Sequence, residues 1–285
     1  QFIQTGVAEL VIQVLDANIA ADIEAKSWAL LAQTLNAPSK YGGKSDLQMG
    51  LYNAMRGMDD SGLWESFQEL TDVVGGSVKP MRALRRLPSL TADELQRLRE
   101  YRAQVSDTCT ALRVLRLMAE GHNVDMQNYL FTQAGNSRSV NVLATAVWLM
   151  TRLVKDPTDA DMADELEFEC VSLLLELLTE VAQGPNLRNQ EFLSTLGLIE
   201  AVFKLLAAGC AQMQRADRDL YPPSVQHLKS QLVGSLLALL EGRTDSTIHL
   251  TMVQRLDRHV LRERIRFVYL YFVFGAVGVS SGEVR

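Results

Sequence analysis

The stretch LLLELLTEVAQGPN (Leu173–Asn186), continued by NQEFLSTLGLIEAVFKLL (Asn189–Leu206), decides the fold class. Its leucines recur at the three-and-four spacing of one helix face, and a polar turn with Gly184-Pro185 then breaks the pattern. A short helix, a glycine hinge at Gly197 and a long apolar helix follow. Three other stretches repeat the grammar: WALLAQTLNAPS from Trp28, LRVLRLMAEGHN from Leu112 and SLLALLEGRTD from Ser235. Each is a Leu-rich helix ending in a short turn, and each precedes a second helix that carries Gln or another polar residue. No such unit buries its own apolar face, so stacking of units has to supply the core. Val7–Leu15, Ala111–Ala119, Glu169–Val181 and Val225–Leu240 show the same helical periodicity, and no alternating, strand-like run bounded by turns appears. The reading is an all-α chain, an irregular armadillo- or HEAT-like helical solenoid.

The 285 residues are 47% hydrophobic and 22% charged, which excludes disorder and a coiled-coil rod and leaves enough apolar material for a real core. The formal net charge of −6 argues against nucleic acid or a polybasic membrane contact, since phosphate binding draws on clustered Lys and Arg. A boundary is expected in GGSVKPMRALRRLPSLTADE (Gly75–Glu94), with two adjacent glycines, two prolines and the basic residues Lys79, Arg82, Arg85 and Arg86 read as a solvated linker, a docking patch for an acidic partner being the alternative. Thr91 and Glu94 there form a capping-box signature. The expected division is an N-terminal helical lobe, residues 1–88, and a longer helical domain, residues 89–285. The opening QFIQTGVAELVIQVL reads as the inside of a helix, as in a piece of something larger. The apolar run Phe267–Val279 is shorter than a bilayer span and is expected as a buried helix.

Enzyme chemistry is not evident. GGKS at Gly42–Ser45 has Pro38 where a phosphate loop needs glycine, and no strand precedes it. His122, His227, His249 and His259 are scattered, with His259 and Glu263 reading as a surface pair. Cys109, Cys170 and Cys210 are far apart and read as small buried apolar residues in a reducing compartment.

Two glutamates resist a bland reading. Glu120 and Glu180 each close an apolar helix, where the macrodipole makes a carboxylate unfavourable by up to about 1 kcal/mol. A hard cation held by both, Ca²⁺ or Mg²⁺, would remove the penalty. Two solvent-exposed acids are the alternative.

At these residues a resemblance emerges. EGHNVDMQNYLFTQAGNSRSVNVL (Glu120–Leu143), LTEVAQGPNLRNQ (Leu178–Gln190) and LLALLEG (Leu236–Gly242) resemble the homology-associated domain of the inositol trisphosphate receptor and ryanodine receptor superfamily of calcium-release channels. Residues 89–285 then correspond to that domain, while the N-terminal turn NAPSKYGGKSDLQ departs from the family's pattern. The resemblance implies a non-enzymatic, cytosolic α-solenoid that couples ligand binding to the membrane pore. It sits at the cytoplasmic face of an endoplasmic-reticulum-type calcium store, inside a homotetramer, against other domains of the same chain, including the cytosolic extension of the pore. It further implies that Glu120 and Glu180 are ligands of an activating Ca²⁺ site, supported by His122 and Gln183. Another ligand would come from a segment outside this chain, so the site here is a half-site that binds Ca²⁺ weakly. No membrane insertion and no nucleic acid are expected.

The rival reading is a free-standing armadillo-like scaffold gripping a partner peptide, with Asn123, Asn128, Asn136 and Asn141 as a candidate stripe. Capping and turn formation are the ordinary uses of those asparagines. A hydrolase using the two glutamates as an acid–base pair has no other polar chemistry to support it.

Overall fold

A computed structural model describes residues 2–17, 21–36, 44–57, 59–154, 164–215 and 223–256, with positions 258 and 262 besides. The described residues form twelve helices and no strand. In chain order they are α1 (Phe2–Asp16), α2 (Ala21–Asn36), α3 (Lys44–Arg56), α4 (Ser61–Arg85), α5 (Ala92–Ala119), α6 (Val124–Phe131), α7 (Val142–Leu153), α8 (Glu165–Glu180), α9 (Leu187–Thr195), α10 (Leu198–Arg215), α11 (Pro223–Leu240) and α12 (Thr247–Arg255). The all-α, solenoid-like reading holds. The long helices α5, α8 and α11 lie side by side, each followed after a tight turn by a short helix. The glycine hinge is present, with Gly197 at φ 93° between α9 and α10. One apolar core runs from Ala8 in α1 to Met252 in α12 and includes Trp28, Trp64, Leu115, Leu174 and Val202.

Helix ends follow the sequence. Thr91 and Glu94 form the full capping box that starts α5. Asn123, Asn141, Asp164 and Asn186 each accept an amide N–H of the first turn of α6, α7, α8 and α9.

The expected linker is different. α4 runs unbroken through Gly75-Gly76 and Pro80, and the chain leaves helical structure only between α4 and α5. Gly75 is there for packing: a Cβ on it would lie 2.5 Å from the Trp148 ring of α7. Pro80 lacks the N–H that would bind the Gly76 carbonyl, and Gly76 itself is exposed. Of the basic cluster, Lys79 and Arg86 are exposed, but Arg82 and Arg85 are not solvated. Arg82 donates to Glu167 Oε2 (2.9 and 2.8 Å) and to the Leu153 carbonyl (2.8 Å); Arg85 donates to Glu167 Oε1 (2.8 Å) and is ion-paired with Asp164 (3.1 Å). Tyr101 of α5 donates to the same Glu167 (3.0 Å). These arginines clamp α4 and α5 onto the start of α8.

Candidate cation site

Glu120 is the residue after the last turn of α5, with φ −58° and ψ 143°, and Glu180 is the last residue of α8. Because α5 and α8 pack side by side, the turns that follow them are stacked. Gly121 (φ 81°) and His122 (φ 62°) make the first turn, and Gly184 (φ 96°) is in the second. His122 lies against Gly184 so closely that a Cβ there would be 2.7 Å from the His122 Cβ. Pro185 fits the third turn the same way, 2.4 Å from the place of a Cβ on Gly242 (φ 67°). Positive φ is costly for most residues with a Cβ, and here close approach adds a second reason for glycine.

Carboxylates and amides run along this stack. The Gly121 amide of the first turn favours the charged form of Glu180. Glu241, just past α11, accepts the N–H of Gly184 in the second (3.2 Å). Glutamines from the short helices close the long ones. Gln48 of α3 donates to the carbonyls of Leu117 (2.7 Å) and Glu120 (2.8 Å). Gln127 of α6 donates to those of Glu180 (2.7 Å) and Gln183 (3.0 Å). Gln190 of α9 donates to those of Ala238 (2.9 Å), Glu241 (3.0 Å) and Ala182 (3.2 Å). Neutral amides thus satisfy the helix-end carbonyls for which the sequence argument invoked a cation.

What neutral amides leave standing is the like charge of the pair. Glu120 and Glu180 are both half-buried. Burial pushes the Glu180 carboxyl above its ordinary value, and the negative charge of Glu120 pushes it further. Arg116, His122 and the Gly121 amide pull the other way. Arg116 makes its ion pair with Glu176 (3.3 Å). The structure therefore brings Glu120, Glu180 and His122 into one electrostatic neighbourhood, while Gln183 contributes its backbone carbonyl to the Gln127 clip. Two adjacent carboxylates suit a hard cation by donor type and supply at most four of the six to eight oxygens Ca²⁺ takes. Among the described residues no group of three or more His, Cys, Asp or Glu is placed to hold a metal.

The asparagine stripe is spent internally. Asn123 and Asn141 cap helices, Asn128 receives Asn186 (3.2 Å), and Asn136 donates to Asp60. Cys109 and Cys170 are buried thiols in contact, and that contact together with burial holds the Cys170 thiol well above its ordinary range. The side chain of Cys210, the His259–Glu263 pair and the run Phe267–Val279 lie outside the described residues. No helix among those described is long and apolar enough to cross a membrane.

Comparison with known proteins falls on the same turns. Residues 102–206 match the family described as RyR and IP3R Homology associated. Over 137 residues, 47% of this chain, the sequence is 28% identical to the Caenorhabditis elegans inositol 1,4,5-trisphosphate receptor itr-1. Residues 102–206 are thus similar to the homology-associated domain of the ryanodine and inositol trisphosphate receptor family. The matched stretch amounts to 5% of the worm receptor's length. Within the matched stretch lie Glu120, His122, Gln127, Glu180, Gln183 and Gln190; Gln48 and Glu241 flank it. The sequence reading missed the three glutamine clips as a set. For two of them the signal is the spacing Asn-x-x-x-Gln, with the cap at Asn123 or Asn186 and the clip one turn later at Gln127 or Gln190; Gln48 has Lys44 at that place and carries no such signal.

Proposed function

We infer that this chain is a regulatory and coupling segment of an intracellular ligand-gated calcium-release channel. It relays conformational change toward the pore, and Glu120 and Glu180 act as two ligands of an activating Ca²⁺ site. The observation that carries the reading is the adjacent pair of half-buried carboxylates at the ends of α5 and α8, in the part of the chain that carries the family match. Ca²⁺ would supply the positive charge that the pair lacks and would be completed by oxygens from a neighbouring segment. His122, stacked on Gly184 beside the pair, and Gln183, held through its carbonyl, support the ligands.

Coupling follows from linkage. A cation bound between this segment and the cytosolic extension of the pore favours the arrangement in which the two are close. It can shift that equilibrium by no more than its differential affinity for the two arrangements. The native context is a homotetramer at the cytoplasmic face of an endoplasmic-reticulum-type store, with other domains of the same chain as partners and no catalytic role.

The test is Ca²⁺ titration of the 285-residue chain and of the complete channel. The chain alone is expected to bind weakly, and Glu120→Gln or Glu180→Gln to abolish that binding. In the complete channel the same variants shift activation to higher Ca²⁺. Submicromolar binding by the chain alone contradicts a half-site, and unchanged activation in both variants removes these carboxylates from the mechanism.

A further inference from the structure

The three glutamine clips are alike in chemistry and differ in origin. Gln127 and Gln190 come from α6 and α9, inside the homology-associated domain. Gln48 comes from α3, more than fifty residues before the family match begins, and its side chain is buried at 4% exposure. With ψ at 143° the backbone has left the helix at Glu120, so no later turn of α5 supplies an N–H for its carbonyl. The Gln48 amide does so, taking the carbonyls of Leu117 and Glu120 together. A second tie joins α3 to the same turn: the Asn123 amide meets the Met49 sulfur at 3.9 Å.

Glu180 is held otherwise. Its carbonyl is taken by Gln127 from α6, and the Gly121 amide favours the charge of its carboxylate. The main chain that carries one carboxylate is thus held from the N-terminal helices, and the main chain that carries the other from within the domain.

We propose that Gln48 is the positioning residue for Glu120, through which the N-terminal helices set the separation of the two carboxylates and hence the cation affinity of the pair. This rests on reading Glu120 and Glu180 as cation ligands. A displacement of α3 relative to α8 would then open or close the pair without touching either carboxylate, which gives the N-terminal helices a direct mechanical handle on the site.

The experiment is a Tb³⁺ luminescence titration of the full chain, with Glu120→Gln defining the background from other acidic groups. Gln48→Leu keeps the side chain's bulk and removes the amide. It is expected to weaken Tb³⁺ binding at the pair about tenfold, the usual scale for groups that orient metal ligands. Gln190→Leu is the control, because it removes an equivalent clip from Ala182, Ala238 and Glu241 and is expected to lose stability while binding Tb³⁺ as the parent does. Equal binding by Gln48→Leu and the parent overturns the proposal, as does equal weakening by Gln190→Leu. Should Gln48→Leu not fold, Gln48→Asn keeps an amide too short to reach both carbonyls and is read in the same way. If the folded parent binds no Tb³⁺ at the pair, the cation reading fails on its own. Amide hydrogen exchange then decides the positioning role. Acceleration in Gln48→Leu confined to residues 117–123 supports it, and acceleration extending to residues 178–184 overturns it.

Discussion

One helix carries two glutamates that the protein treats in opposite ways. Glu167, in the first turn of α8, is 2% exposed and is met by Arg82, Arg85 and the Tyr101 hydroxyl. Glu180 lies thirteen residues on, about 20 Å along the axis. There it meets the Gly121 amide, the field of an Arg116 that pairs with Glu176, and the like charge of Glu120. The first carboxylate is neutralised where it stands. The second holds the higher-energy charge of the two. A fold that can bring three donors to one end of α8 did not need to leave a like-charge pair at the other. The contrast separates a clamp from a site.

The clamp predicts the largest effect. Glu167→Ala leaves two guanidinium groups and a phenol in a dry seam between α4, α5 and α8, with an expected loss of about 3–5 kcal/mol in urea unfolding. A loss below about 1 kcal/mol would mean water reaches the arginines, and the contrast would lapse. The glutamine clips come next. Gln127→Leu leaves the Glu180 and Gln183 carbonyls without their donor, and about 2–4 kcal/mol is expected to go.

Glycines of the turn stack sharpen the comparison. Gly121 and Gly184 both sit at positive φ, but a Cβ on Gly121 meets nothing within 4 Å, whereas one on Gly184 strikes His122. Gly121→Ala is expected to cost about 1–2 kcal/mol for conformation alone. Gly184→Ala adds about 1–3 kcal/mol of overpacking. If the two cost the same in parallel unfolding curves, His122 is free to move away and does not brace the second turn.

Much of this was legible before any coordinates. The periodicity of Leu173–Val181 and the cap residues Thr91, Asn123 and Asn186 specify where helices run and start, because both signals are local. The linker reading failed for the opposite reason. Gly75 is explained by Trp148, over seventy positions away, and Arg82 by Glu167, more distant still, so neither meaning exists until α4, α7 and α8 are packed. The two glutamates lie between these cases. Their placement at helix ends was visible, and their adjacency required the stacking of α5 on α8. The amide clips changed the argument for a cation from helix-end carbonyls to the charge of the pair itself.

That shift sets the smallest and most discriminating prediction. The Glu180 carboxyl is held above its ordinary value by burial and by Glu120, so ionising it is harder in the folded than in the unfolded chain. Its protonated form supports the fold fully below the unfolded value, near pH 4.5, and that support is lost as pH rises through the folded value. Glu180→Gln keeps a neutral side chain at every pH. It should therefore unfold at higher urea than the parent at pH 7, with the difference shrinking as pH falls toward 4. Glu167→Gln should instead lose stability at pH 7, since its arginines then lack their counter-charge. Added Ca²⁺ should narrow the gap between the parent and Glu180→Gln at pH 7, because a cation on the pair relieves the same repulsion. A gap indifferent to pH would trace the strain at Glu180 to packing rather than charge, and the two ends of α8 would no longer differ in kind.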